Sequence, residues 1–127
     1  MPGPVGWPRD LPPPGTDEFD ERVCGWLLDR APADLRLSPV RSMPLALARI
    51  AAHHVESSLV GMREAYASAR SELGEWLTPD QITLTQTALE AEGARLLQAQ
   101  REVALVEDAL QRRRASTQGR HEGGYGT

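Results

Sequence analysis

The sequence predicts an all-α fold: a long antiparallel helical hairpin of coiled-coil type, a short N-terminal helix packed on it, and disordered tails. Three observations lead to this prediction. Apolar residues recur at alternating spacings of three and four along two long stretches. A strong helix-start signal separates those stretches. Both ends of the chain are rich in Pro, Gly or Ser and carry no helical period.

The repeating positions would form one continuous apolar seam between the two long helices. In the first long helix they are Leu45, Ala48, Ala52, Val55, Leu59, Met62, Tyr66, Ala69, Leu73 and Trp76. In the second they are Ile82, Thr85, Leu89, Glu92, Leu96, Ala99, Val103, Val106 and Leu110.

The turn is marked by Thr78, Pro79 and Gln81. Thr78 can accept a hydrogen bond from the N–H of Gln81 while the Gln81 side chain reaches back, and Pro79 occupies the first helical position. A connection this short predicts antiparallel helices in which facing residue numbers sum to roughly 155.

That register makes two specific predictions about charged residues. Arg49 should lie near Glu107, and Arg63 should lie near Glu92. The second pair would compensate the polar Glu92 within the apolar seam and help to fix the register.

The chain divides into segments by composition and period. The predicted segments are a disordered Pro-rich leader at 1–15, a helical domain at 16–114 and a disordered Gly-rich tail at 115–127. Within the domain we expect a short helix at 17–30, a connector at 31–42 with a helical turn at 33–37, and the hairpin at 43–114.

Each helix has an expected start. Thr16 or Asp17 should cap the short helix, and Ser42 should cap the first long helix. Phe19, Val23, Trp26 and Leu27 share one face of the short helix, which must be buried because an isolated helix of this length is marginal in water.

Composition limits the compartment and the class of partner. The 127 residues include one cysteine, Cys24, which excludes an internal disulfide and fits a reducing cytoplasm. No segment resembles a secretion signal or a membrane span, and the net charge of −4 leaves no basic face for nucleic acid. The absence of lysine and asparagine indicates a high-GC bacterial source. We therefore expect a cytoplasmic protein without nucleic-acid or membrane partners.

No motif for catalysis or for a cofactor is present, and we expect a protein that is not an enzyme. One cluster suggests an alternative function. His53, His54 and Glu56 lie within four residues and the register brings Glu102 opposite, so a helical bundle could bind a metal or small ligand there. The apolar seam argues against this, because it leaves both histidines outside the core.

Two groups of proteins resemble parts of this chain. The segments Asp10–Gly15, Phe19–Arg22 and Gly25–Leu28, followed by a hairpin, resemble short helical proteins of high-GC bacteria that carry no assigned function. The layout is also similar to the WXG100 helical hairpins of type VII secretion, which implies a secreted hairpin as a further alternative. The Trp-x-Gly turn of that family is replaced here by Trp76-Leu77-Thr78, and Tyr125 precedes only two residues.

The two edges of the predicted hairpin differ. One edge carries long polar side chains, namely those of Arg49, Glu56, Arg63, Arg70, Gln86, Gln100 and Glu107. The other is a predicted interface of mainly small or apolar residues: Leu47, Ala51, Ser58, Gly61, Ala65, Leu84, Ala88, Ala91 and Leu105. Since the short helix covers less than half of this edge, we expect it to bind a second copy or another protein. The sequence therefore predicts a helical interaction, regulatory or assembly protein.

Overall fold

The computed structural model describes the backbone of residues 3–125 and the side chains of residues 3–116. Its α-helices are α1 (Asp17–Leu28), α2 (Pro44–Leu73) and α3 (Pro79–Tyr125), and two short 3₁₀ helices, Ala33–Leu37 and Pro39–Ser42, connect α1 to α2. Residues 3–125 contain no β-strand. The all-α prediction is confirmed, as is a helical turn in the connector.

The α1 helix is the short N-terminal helix expected from its apolar stripe. Thr16 caps it, with Oγ1 accepting a hydrogen bond from the backbone N–H of Phe19 at 3.2 Å. Phe19 and Leu27 are almost wholly buried against α2 and α3 in the main hydrophobic core. Packing of the apolar face therefore stabilises a helix that would be marginal alone.

The Pro-rich leader differs from the predicted disorder, because residues 3–15 are packed on the helices. Leu11 is only 3% exposed and belongs to the main core. The Trp7 ring lies 5.9 Å from the Phe19 ring, and its indole N–H donates to the carbonyl oxygen of Leu11 at 3.0 Å. Two apolar side chains separated by turns thus anchor a segment whose composition alone indicated a flexible chain.

The α2 and α3 helices pack closely, which is consistent with a hairpin. The turn has the predicted capping box: Gln81 N–H donates to Thr78 Oγ1 at 3.2 Å, and Thr78 N–H donates to Gln81 Oε1 at 3.0 Å. The predicted cap of the first long helix is wrong. Met43 occupies the N-cap position without a side-chain hydrogen bond, and Pro44 begins the helix.

The predicted end of the second long helix also needs correction. Helical backbone continues beyond residue 114 through Tyr125, where the sequence indicated a disordered tail at 115–127. The last two residues of that tail lie outside the described residues. Ala115, with the highest helix propensity, and Ser116 continue the helix without any apolar stripe to signal it.

The α2–α3 pair has two parts that differ in thickness. We call residues 44–55 and 98–110 the proximal part, and residues 56–73 and 79–97 the distal part. In the proximal part α1 adds a third helix, and Leu47, Val103 and Val106 are 0% exposed. The distal part is two helices thick, so its core is small.

No helix among residues 3–125 is long and apolar enough to cross a membrane.

Candidate interaction surface

The predicted small-residue interface lies partly within the core of the chain itself. Leu47 and Ala51 are both fully buried in the main cluster beneath α1. Their assignment to an intermolecular surface is therefore wrong. Leu105 is half-buried and lies beside the leader, since a methyl group built on Gly6 would come within 3.5 Å of its Cδ1.

The remaining interface residues are on or next to the distal part, and they are accessible to different degrees. Leu84 is 70% exposed, and Ala88 and Ala91 are exposed as well. Ser58, Gly61 and Ala65 are half-buried. Neither the leader nor α1 contributes a buried residue to this region. The small-residue edge is thus open only in the distal part.

A groove of about 320 Å³ lies on the opposite edge of the distal part. Its charged lining residues are Arg63 and Glu90. Its apolar lining is Leu59, Met62 and Tyr66 of α2 with Leu89, Gly93, Ala94 and Leu97 of α3. A methyl group built on Gly93 would have no neighbour within 4 Å, so this glycine leaves the groove open. The edge expected to be polar and solvated is therefore apolar at its centre.

Polar contacts flank the groove on the same edge. Arg49 Nη1 lies 2.8 Å from Glu107 Oε1, which confirms the first pair predicted from the register. Gln86 Nε2 donates to the backbone carbonyl of Tyr66 at 3.3 Å. These contacts hold α2 against α3 on either side of the groove.

The second predicted ion pair is not formed. Glu92 binds Arg95 on its own helix, with Arg95 Nε donating to Glu92 Oε2 at 2.9 Å. Hydrogen bonding to Arg95 lowers the pKa of Glu92 despite some burial, and the same contact raises the pKa of Arg95. Because Arg63 lines the opposite edge, it is not the compensating charge for Glu92.

A polar cluster joins the leader to α1. Asp10 accepts a hydrogen bond from the Trp26 indole N–H at 2.8 Å, and its other oxygen lies 3.2 Å from Arg30 Nη2. The Arg30 guanidinium also stacks 3.7 Å from the centre of the Trp26 ring. Burial alone would raise the pKa of Asp10, but the Trp26 hydrogen bond and the Arg30 charge lower it below its ordinary value. This cluster fixes the leader on α1.

Beside this cluster lies a charged groove of about 380 Å³ between α3 and the residues that follow α1. Its lining consists of Asp10, Asp29, Arg30, Arg95, Gln98, Ala99 and Glu102. Both arginines are already paired, Arg30 with Asp10 and Arg95 with Glu92. Few charged side chains in this groove are therefore left to bind a ligand. We assign a structural role to these ion pairs.

The residues of the metal alternative are dispersed. His53 and Glu56 are exposed, and Arg49 Nη2 lies 3.2 Å from His53 Nε2, which puts a cation beside that imidazole. His54 lines a different groove from the one that contains Glu102. Among the described side chains, no three His, Cys, Asp or Glu residues approach closely enough to hold a metal ion.

The single thiol is also poorly suited to chemistry. Cys24 is half-buried at the margin of the main core, and burial raises its pKa. A raised pKa lowers the fraction of reactive thiolate at neutral pH.

Sequence reasoning missed the apolar groove, although a signal for it exists. Val60 and Leu97 are apolar residues outside the predicted seam, and Gly93 interrupts the polar row beside it. The Asp10 cluster had no comparable signal, because its members are separated by up to 20 positions without a shared period.

Comparison with protein-family models, curated proteins and solved structures finds no match to this chain.

Proposed function

We propose that this chain is a non-enzymatic helical interaction protein that self-associates through the distal part of an antiparallel coiled-coil hairpin. The single unpaired Cys24 suits a reducing cytoplasm, where we place the protein. A different helical protein bound to the same surface is the alternative form of this function.

Contacts along the pair support the antiparallel register. Arg49, early in α2, pairs with Glu107, late in α3. Farther along α2, Leu59 shares a small core cluster with Leu96, and Tyr66 receives its hydrogen bond from Gln86. As the residue number rises in α2 it falls in α3, and the sums stay close to the predicted 155. Apolar spacing of three and four supports the coiled-coil assignment.

The unequal thickness of the α2–α3 pair is the observation that carries the proposal. In the distal part Leu84 is 70% exposed, Val60 48% and Tyr66 37%. Beside the turn, Trp76 is 79% exposed. A two-helix layer cannot enclose the apolar surface of both helices, whereas the four helices of a dimeric bundle can.

The total surface is large for the mass of the chain. It measures 8801 Å² for 13.9 kDa, against about 6,700 Å² for a compact monomer of that mass. Residues 111–116, which are all exposed, contribute part of this excess. The excess, on the order of 2,000 Å² per chain, is larger than the roughly 800 Å² that each partner buries in a standard protein interface, so an interface of that size fits within it.

Light scattering after gel filtration tests this function. At a loading concentration of about 100 μM, which populates even a weak dimer, we expect a mass of twice 13.9 kDa. A mass of one chain at that concentration would contradict self-association.

A further inference from the structure

We propose that the apolar groove between α2 and α3 binds the same groove of a second copy, in a parallel twofold arrangement that sets each Arg63 against the partner's Glu90. This inference rests on the proposed self-association and names its surface. It places the dimer contact on the edge opposite the small-residue edge.

The groove has the composition of an interface centre. Seven apolar or small residues surround it, and the Gly93 position leaves room for a side chain of another helix. Val60, the next apolar residue on this edge, lies outside the seam and is 48% exposed. Packing a second groove on the first would bury apolar surface that the chain itself leaves in water.

The small-residue edge is partly covered. In the proximal part the leader lies beside Leu105, and α1 covers Leu47 and Ala51. In the distal part, residues 29–31, which follow α1, line a groove together with Ser58. On the groove edge, by contrast, neither the leader nor α1 contributes to the lining. A second elongated chain can therefore lie along the groove edge without displacing either segment.

Charge selects a second copy as the occupant. Arg63 lies on α2 and Glu90 on α3, so each groove presents one charge of each sign. Within the described side chains no salt bridge engages either residue. The residues three and four positions away from both are uncharged, so no helical neighbour neutralises them.

The positions of these charges also select the orientation of the copies. In the antiparallel register Arg63 is level with residues 92–93, within about one helical turn of Glu90. A twofold axis parallel to the helices places each α2 against the partner's α3, and Arg63 then faces the partner's Glu90. A twofold axis across the groove would instead oppose Arg63 to Arg63 and Glu90 to Glu90, which is unfavourable.

Steric blocking of the groove gives the first test. Gly93→Gln inserts a neutral side chain into the groove and replaces a helical glycine by a better helix former. The thermal unfolding midpoint of the monomeric variant should equal or exceed that of the wild-type monomer. Light scattering at concentrations of about 100 μM and below should give the mass of a single chain. Ala65→Glu, the matched variant on the small-residue edge, should remain dimeric.

Charge exchange gives the second test and separates intermolecular pairing from effects within one chain. Arg63→Glu and Glu90→Arg should each raise the dimer dissociation constant about tenfold or more. An equimolar mixture of the two variants should recover the two-chain mass, because each altered residue then meets an opposite charge on the other copy.

The outcomes distinguish this inference from the broader function. A dimeric Gly93→Gln together with a monomeric Ala65→Glu would overturn the groove interface and leave self-association intact. Failure of the mixture to recover the dimer would overturn the Arg63–Glu90 pairing. A monomeric wild-type chain would contradict both the interface and the proposed function.

Discussion

Replacement of Leu11 by alanine should destabilise the whole protein, because the leader forms part of the core. Leu11 is 3% exposed and packs in the cluster that contains Leu27 and Leu47. The substitution removes three carbon atoms, worth about 2.4 kcal/mol in transfer free energy. Leu11 lies in a surface segment that can partly collapse into the vacated space, so we expect a total loss of about 2–3 kcal/mol.

Urea unfolding followed by circular dichroism at a helical wavelength measures this loss. Val5→Ala is the matched control, because Val5 lies in the same leader and is 100% exposed. The control should unfold like the wild type, within about 0.5 kcal/mol. Equal unfolding midpoints for Leu11→Ala and Val5→Ala would refute the packed leader.

Three further substitutions test the turn, the polar cluster and the burial pattern. Thr78→Ala should lower the free energy of unfolding by about 1 kcal/mol, the usual cost of losing an N-cap, as measured by urea titration; an unchanged midpoint would place the start of α3 elsewhere. Asp10→Asn should cost about 1 kcal/mol at pH 7, discounted for the screening of a mostly exposed carboxylate. Because the folded pKa of Asp10 is lowered, its stabilisation is present above the ordinary value of about 3.8 and disappears as the pH falls through the lowered pKa. The variant and the wild type should therefore converge in acid, and a constant difference would contradict the charged contact with Arg30. Leu47→Ala should cost about 3 kcal/mol and Leu84→Ala less than about 0.5 kcal/mol in thermal unfolding, since only Leu47 is buried; comparable losses would contradict the position of α1.

The sequence predicted the elements that depend on local chemistry and on a long period. The capping box at Thr78 is formed by residues three apart, and a seam repeated over many turns restricts the register to the one that pairs Arg49 with Glu107. Such features are readable because each position constrains its neighbours.

The leader was mispredicted for a physical reason. Proline content indicates the backbone conformations available to a segment, but not whether its few apolar side chains find a complementary surface. Here Trp7 and Leu11 find one on α1. That surface exists only after α1, α2 and α3 have come together.

Leu47 and Ala51 were wrongly assigned to an interface because the position of the short helix relative to the two long helices was unknown. Leu47 and Ala51 have the small or apolar character of an interface, and they form one, but with α1 of the same chain. The groove at Gly93 depends on a missing side chain, whose effect emerges only from the packing of both helices.

Hydrogen exchange measured by mass spectrometry on the wild-type chain, at about 1 μM and about 100 μM, shows whether copies of this chain associate through the distal part of the α2–α3 pair. Amides at 56–73 and 79–97 should exchange more slowly at the higher concentration, while those at 44–55 and 98–110, already covered by α1, should change little. Exchange in the distal part that is independent of concentration would contradict association through this part of the molecule.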